Sequence, residues 1–158
     1  MRDKSKLSWD KTYLNIAKEF GTHSTCVRLN VGAVIVKDNH IIGAGYNGSP
    51  SGMVQCNEVF TPDKISKPDF MEAHHCFALK NEIHAEQNAI AYAARTDSTP
   101  LEGATMYITL SPCDACARLI ISAGIKRVVY SHEYDRENAG KDLLKEVGVS
   151  VEYIGEDN

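Results

Sequence analysis

The chain has 158 residues, 43% of them hydrophobic and 24% charged, with a formal net charge of -4. That length bounds it to one domain, residues 1–158, able to bury roughly two thirds of its unfolded surface. The acidic balance excludes a broad basic field for a long nucleic acid. The opening through Trp9 lacks an apolar stretch of secretory length, and no run elsewhere is long enough to span a bilayer, so a cytoplasmic location without a membrane partner is expected (host cytoplasm if the chain is viral).

In chain order, Leu7, Tyr13, Leu14, Ile16, Ala17 and Phe20 predict an amphipathic helix over residues 8–19, capped by Ser8 and ended by Gly21. Two short β-branched runs, 31–36 and 41–46, flank Lys37-Asp38-Asn39-His40 and predict an antiparallel hairpin. Residues 51–80 interrupt this regularity with Pro62, Pro68 and scattered polar groups, and read as a long connecting insertion. Asn81 is the expected cap of a helix over 82–95.

Beyond Gly103 come a strand at 105–110, a helix at 114–123 ended by Gly124, and a strand at 127–130. A helix starting near Glu137 and running through 141–146, then a strand at 149–154, complete the chain. Strands separated by helices suit parallel crossovers. The expected class is α/β, a three-layer α/β/α domain around a mixed five-stranded sheet.

Two segments carry the chemistry: His84-Ala85-Glu86 and Pro112-Cys113-Asp114-Ala115-Cys116. An odd number of cysteines, five, in a reducing compartment favours metal ligands and free thiols over disulfides. His84, Cys113 and Cys116 offer three ligands to a zinc ion, leaving the fourth position open as catalytic sites do. Cys113 and Cys116 stand at the start of a helix, whose N–H groups and dipole favour thiolate. Glu86, two residues from His84, converges with it if both lie in a first helical turn. Alone, the Cys113/Cys116 pair would fit a structural zinc, with Glu86 a surface charge. With the His-x-Glu beside it, the pattern is that of hydrolytic nucleobase deaminases, in which the glutamate is a proton carrier and not a ligand.

From about Cys26 to Ile154 the sequence resembles the deoxycytidylate deaminases, phage and bacterial forms above all, within the cytidine deaminase-like superfamily. The resemblance rests on residues 26–36, Gly45-Tyr46-Asn47-Gly48-Ser49-Pro50, 81–90, 110–116, 124–130 and Tyr134-Asp135. It implies a cytidine deaminase-like fold and hydrolysis of deoxycytidine monophosphate (dCMP) to deoxyuridine monophosphate (dUMP). It further implies a homohexamer activated by deoxycytidine triphosphate and inhibited by thymidine triphosphate, with Mg²⁺ accompanying the effector.

The resemblance also implies site residues. Asn47 would meet the sugar and base, although Asn47-Gly48-Ser49-Pro50 is equally a strong turn signal. Arg28 and Tyr134 are the candidates for the substrate phosphate, with Arg136 a weaker one; a solvated strand flank and plain packing are their alternatives. Gly48 and Ser49 resemble the effector-phosphate region. Cys26, Cys56 and His74 match a second, structural zinc, with Glu82 as fourth ligand and His75 or Cys76 as alternatives. His23, His40 and His132 carry no motif. Competing functions are a tRNA adenosine deaminase, a free-cytidine deaminase and a catalytically silent zinc-binding assembly module.

Overall fold

The structure, a computed structural model, describes residues 8–96, 98–134 and 138–155. Leu7, Asp135, Arg136 and Glu137, which the sequence singled out, lie outside the described residues. A five-stranded sheet in the order β2-β1-β3-β4-β5 organises the chain. Its strands are β1 (Gly32–Lys37), β2 (His40–Tyr46), β3 (Thr105–Leu110), β4 (Arg127–His132) and β5 (Ser150–Tyr153). β1 pairs antiparallel with both β2 and β3, whereas β3–β4 and β4–β5 are parallel. The sheet is therefore mixed, as the crossover argument required.

The β1–β2 hairpin turns on Asp38 and Asn39, whose φ angles of 49° and 62° match the left-handed pair of a type I′ turn. One register irregularity follows, between Ile35 and Val36, where β2 carries an extra residue.

Alternation along the strands sorts the core into two layers. Val34, Val36, Tyr107 and Val129 face α1 (Trp9–Gly21) and pack with its Tyr13, Leu14 and Ala17. Ser8 caps α1, its hydroxyl accepting the Lys11 N–H. Ala33, Ile35, Met106, Ile108, Val128 and Tyr130 point the other way, into a larger core. That core is closed by α5 (Ala85–Thr96), α6 (Asp114–Ser122) and α7 (Ala139–Glu146). Three layers result.

The 51–80 region corrects the expectation of an irregular connection. It folds into α2 (Cys56–Val59), α3 (Pro62–Ile65) and α4 (Phe70–Asn81). These helices enclose a small core of their own, in which Phe60 meets Phe70 and Phe77 edge-on at 5.5 and 5.6 Å, beside Cys26 and Cys56. A second correction concerns Asn81. It ends α4, its side chain donating to the Phe77 carbonyl, and does not cap the following helix. Glu82 is extended, and Ile83 exchanges both backbone hydrogen bonds with Gly48 across an isolated bridge. That pairing delays the next helix until Ala85. No helix among the described residues is long and apolar enough to cross a membrane.

Candidate functional site

The carboxyl ends of β3 and β4 and the starts of α5 and α6 meet on one side of the sheet, where ligand sites of α/β folds form. His84 stands immediately before α5. Its carbonyl accepts the Asn88 N–H and its own N–H is taken by the Gln87 side chain at 2.7 Å, one half of a capping box. Gly45 on β2 lets α5 lie close to the sheet, since a Cβ there would fall 2.6 Å from the Ala89 nitrogen and 2.9 Å from the Ala85 oxygen. Cys113 is the N-cap of α6, its sulfur accepting the Cys116 N–H at 3.4 Å.

These elements bring three donors together. His84 Nδ1 lies 3.2 Å from Cys116 Sγ and 3.5 Å from Cys113 Sγ, and all three donor atoms fall within 4.8 Å of one another. Donors bound to one zinc at about 2.0–2.3 Å must stand this close to each other. Cys116 is buried, Cys113 half-buried and His84 exposed, so the cluster is closed behind and open in front. Hydrogen bonding from Cys116, with a further contribution from His84, brings the Cys113 thiol down to about 4. The hydrogen bond to Cys113 raises His84.

Glu86 sits in the first turn of α5, only 4% exposed. Burial pushes its carboxyl up to about 7, with His84 pulling the other way. A carboxyl poised there can accept and return a proton near neutrality.

A second cluster gathers Cys26, Cys56, His74 and Glu82 within the same limit. Cys26 Sγ lies 3.4 Å from His74 Nε2. Burial pushes the Cys56 thiol up to about 12 and lowers His74. The Glu82 Oε1 atom is buried with no hydrogen-bonding partner. An orphaned carboxylate oxygen among two thiols and an imidazole is the donor set of a four-ligand metal site, so both clusters fit the metal their residues imply. His75 and Cys76, the alternative fourth ligands, are exposed and lie outside this group.

The sequence matches the profile of the cytidine and deoxycytidylate deaminase zinc-binding region over residues 7–132. It is 40% identical over 168 residues to the deoxycytidylate deaminase of Enterobacteria phage T4, covering 89% of this chain and 86% of that one. To the deoxycytidylate deaminase of Mycobacterium phage D29 it is 42% identical over 135 residues, covering 82% and 98%. The chain belongs to the deoxycytidylate deaminase family. The dCMP deaminase of cyanophage S-TIM5, solved in complex with dCMP and dUMP, superposes with a TM-score of 0.76 at 34% identity, covering 94% of this chain and 98% of that one. Within a deaminase family, the open and closed clusters are consistent with one catalytic and one structural Zn²⁺.

The remaining residues expected of a deoxycytidylate deaminase are placed as follows. Asn47 is buried, its amide accepting the Val31 N–H at 2.9 Å and donating to the Leu29 carbonyl at 2.8 Å. It fixes the loop that carries Arg28. Arg28 itself is exposed, near enough to His74 to disfavour its protonation. Tyr134 is half-buried beyond β4, its N–H donating to the Ser111 hydroxyl at 2.7 Å, which ties it to the Cys113 segment. Gly48 is held by the bridge to Ile83, and the Ser49 hydroxyl is buried without a partner. A hollow of about 390 Å³ lies there, lined by Phe20, Tyr46, Ser49, Pro50, Asn88 and Tyr92.

Sequence reasoning assigned no part in the site to Gln87 or Ser111. Gln87 was findable, because a glutamine three residues after a cap position is the capping-box signal. Ser111 acts through a tertiary contact with Tyr134 that leaves no local pattern.

Proposed function

We propose that this single zinc-dependent domain hydrolyses dCMP to dUMP and ammonia. The observation that carries the reading is the buried Glu86, held near neutrality behind the open His84, Cys113 and Cys116 donors. It is supported by the family membership and by the S-TIM5 relative described with both dCMP and dUMP. A zinc ion held by His84, Cys113 and Cys116 would supply a water of strongly lowered pKa.

Glu86 would accept one proton from the attacking water, whose oxygen goes to C4 of the cytosine ring. It delivers this proton to ring N3. In the second half of the reaction Glu86 carries the other proton to the exocyclic amine, which leaves as ammonia while C4 becomes a carbonyl. One carboxyl can serve both transfers because burial raises it to about 7, where it can both take up and give back a proton.

Arg28 and Tyr134 are the proposed phosphate partners, a guanidinium and a phenol suited to a dianion. Asn47 keeps one lone pair and one N–H beyond its loop contacts, and these are offered to the nucleotide. Gly48 and Ser49 are assigned to a triphosphate effector with Mg²⁺, supported by the hollow they border and by the unpaired Ser49 hydroxyl. Deoxycytidine triphosphate is the proposed activator, thymidine triphosphate the inhibitor, and a cytoplasmic homohexamer the working form. The test is product analysis with dCMP, deoxycytidine and a tRNA anticodon stem, with and without each triphosphate. Ammonia and dUMP from dCMP, with little from the others, are expected; inosine in the tRNA, or equal use of deoxycytidine, would overturn the assignment.

A further inference from the structure

The first turn of α7 rests directly on the backbone that presents Cys113. A Cβ added to Gly140 would fall 2.1 Å from the Pro112 carbonyl oxygen and 2.7 Å from both the carbonyl carbon and the oxygen of Cys113. Only glycine permits this approach. The atoms opposite are main chain, so no side chain can swing away to make room.

The same turn is tethered from the other side. Lys141, the next residue, is nearly buried, pairs with the Glu133 carboxylate, and lies over the Tyr130 ring at 5.5 Å. Glu133 also accepts the Tyr130 hydroxyl. Burial and this hydrogen bond together push the Tyr130 phenol up to about 12, so it remains a donor at neutral pH. The end of β4 therefore pins Lys141 while Gly140 bears on Cys113. Of the three donors in the open cluster, Cys113 most needs such support. Cys116 is buried within α6, and the His84 backbone is held by Gln87, whereas Cys113 is a half-buried cap residue at a loop–helix junction.

We infer that Gly140, with Lys141 tethered to Glu133, is a positioning device that sets Cys113 at metal-binding distance. The inference rests on reading His84, Cys113 and Cys116 as the catalytic metal site. The magnitudes favour it. Relieving 2.1 Å to the 3.0 Å that real Cβ contacts respect requires a shift of about 0.9 Å, against a tolerance of about 0.2 Å in metal–ligand distances. Because the tether resists movement of α7, the shift falls on Pro112 and Cys113. A Cys113 displaced by that amount leaves two donors where three stood.

The test uses the full chain loaded with Co²⁺, whose thiolate absorption reports sulfur ligation. Cys113→Ser first defines the part of that absorption due to the open cluster. Gly140→Ala should lose the same part and release the metal of that cluster to a competing chelator about tenfold to a hundredfold more readily, while the Cys26 cluster stays loaded. Leu144→Ala, a core truncation in the same helix, should lower Tm yet keep the full absorption, separating positioning from general damage. If Gly140→Ala does not fold, Lys141→Met decides, with several-fold easier release expected. Wild-type absorption and metal retention in Gly140→Ala, or in Lys141→Met where that variant decides, would overturn the inference. No change in Cys113→Ser would instead overturn the metal-site reading beneath it.

Discussion

The two donor clusters are separated in sequence by a single residue, Ile83, which stands between Glu82 of one and His84 of the other, yet they are built on opposite principles. The Cys26 cluster draws four donors from separate parts of the chain, three of them buried, and is walled by Phe60, Phe70 and Phe77. Its fourth donor, Glu82, is half-buried. The His84 cluster draws three donors from two helix starts, leaves His84 exposed, and keeps a buried proton carrier beside it. The difference is one of enclosure more than of donor chemistry: a fourth protein ligand and an aromatic wall make a staple, and their absence makes a reaction site.

The sharpest way to break this comparison is Glu86→Gln, which keeps the shape of the open site and removes its proton carrier. Turnover should fall by about a thousandfold or more, with zinc content and Tm near those of the parent. Steady-state ammonia release and metal analysis check it; substantial residual turnover would remove the proton-carrier role. Cys56→Ser addresses the other cluster. It should lower the zinc count from two per chain to one and reduce Tm by several degrees, loosening the 51–80 helices first in hydrogen exchange. Some activity should survive, because the three open-cluster donors are untouched.

Arg28→Ala should erode the preference for dCMP over deoxycytidine by about tenfold or more in kcat/KM, with a smaller loss for the unphosphorylated nucleoside. Equal losses for both would place Arg28 outside the phosphate pocket. The smallest effect is expected far from both metals, on the α1 face, where Arg127 joins Asp10 at 2.8 Å and Glu152 at 2.6 Å. Hydrogen bonds from Arg127 hold both carboxyls below their ordinary values. Depressed carboxyl values in the fold mean stability present above the unfolded values, about pH 4, and lost as pH falls through the folded ones. Arg127→Met should therefore cost about 1 kcal/mol at neutral pH, screened because Glu152 is 44% exposed, and almost nothing once the pH has fallen through the lowered values of both carboxyls. Denaturant midpoints across pH measure this, and zinc content should not change.

Much of this was legible in the sequence, for identifiable reasons. The hairpin announced itself through Asp38 and Asn39, whose residue types tolerate the left-handed turn, and the parallel strands through the helices between them. His84, Glu86, Cys113 and Cys116 were legible because their spacing is local to two helix starts. The helices of residues 51–80 were not. α2 and α3 are too short to show a period, and α4 buries His74 against aromatic rings and metal donors in place of an apolar stripe. The misplaced helix start at Asn81 has a tertiary cause as well, the Gly48–Ile83 bridge. The role of Gly140 could not be read from sequence, because the atoms it makes room for lie 27 and 28 residues away, at Cys113 and Pro112.

The central claim, that the open cluster meets the nucleotide while the closed one only holds the fold, is tested most directly by titrating dUMP into the Co²⁺-loaded chain. The absorption that Cys113→Ser removes should shift on addition of dUMP, and the absorption that Cys56→Ser removes should stay as it was. A shift in the Cys56 component, or none in the Cys113 component, would contradict it.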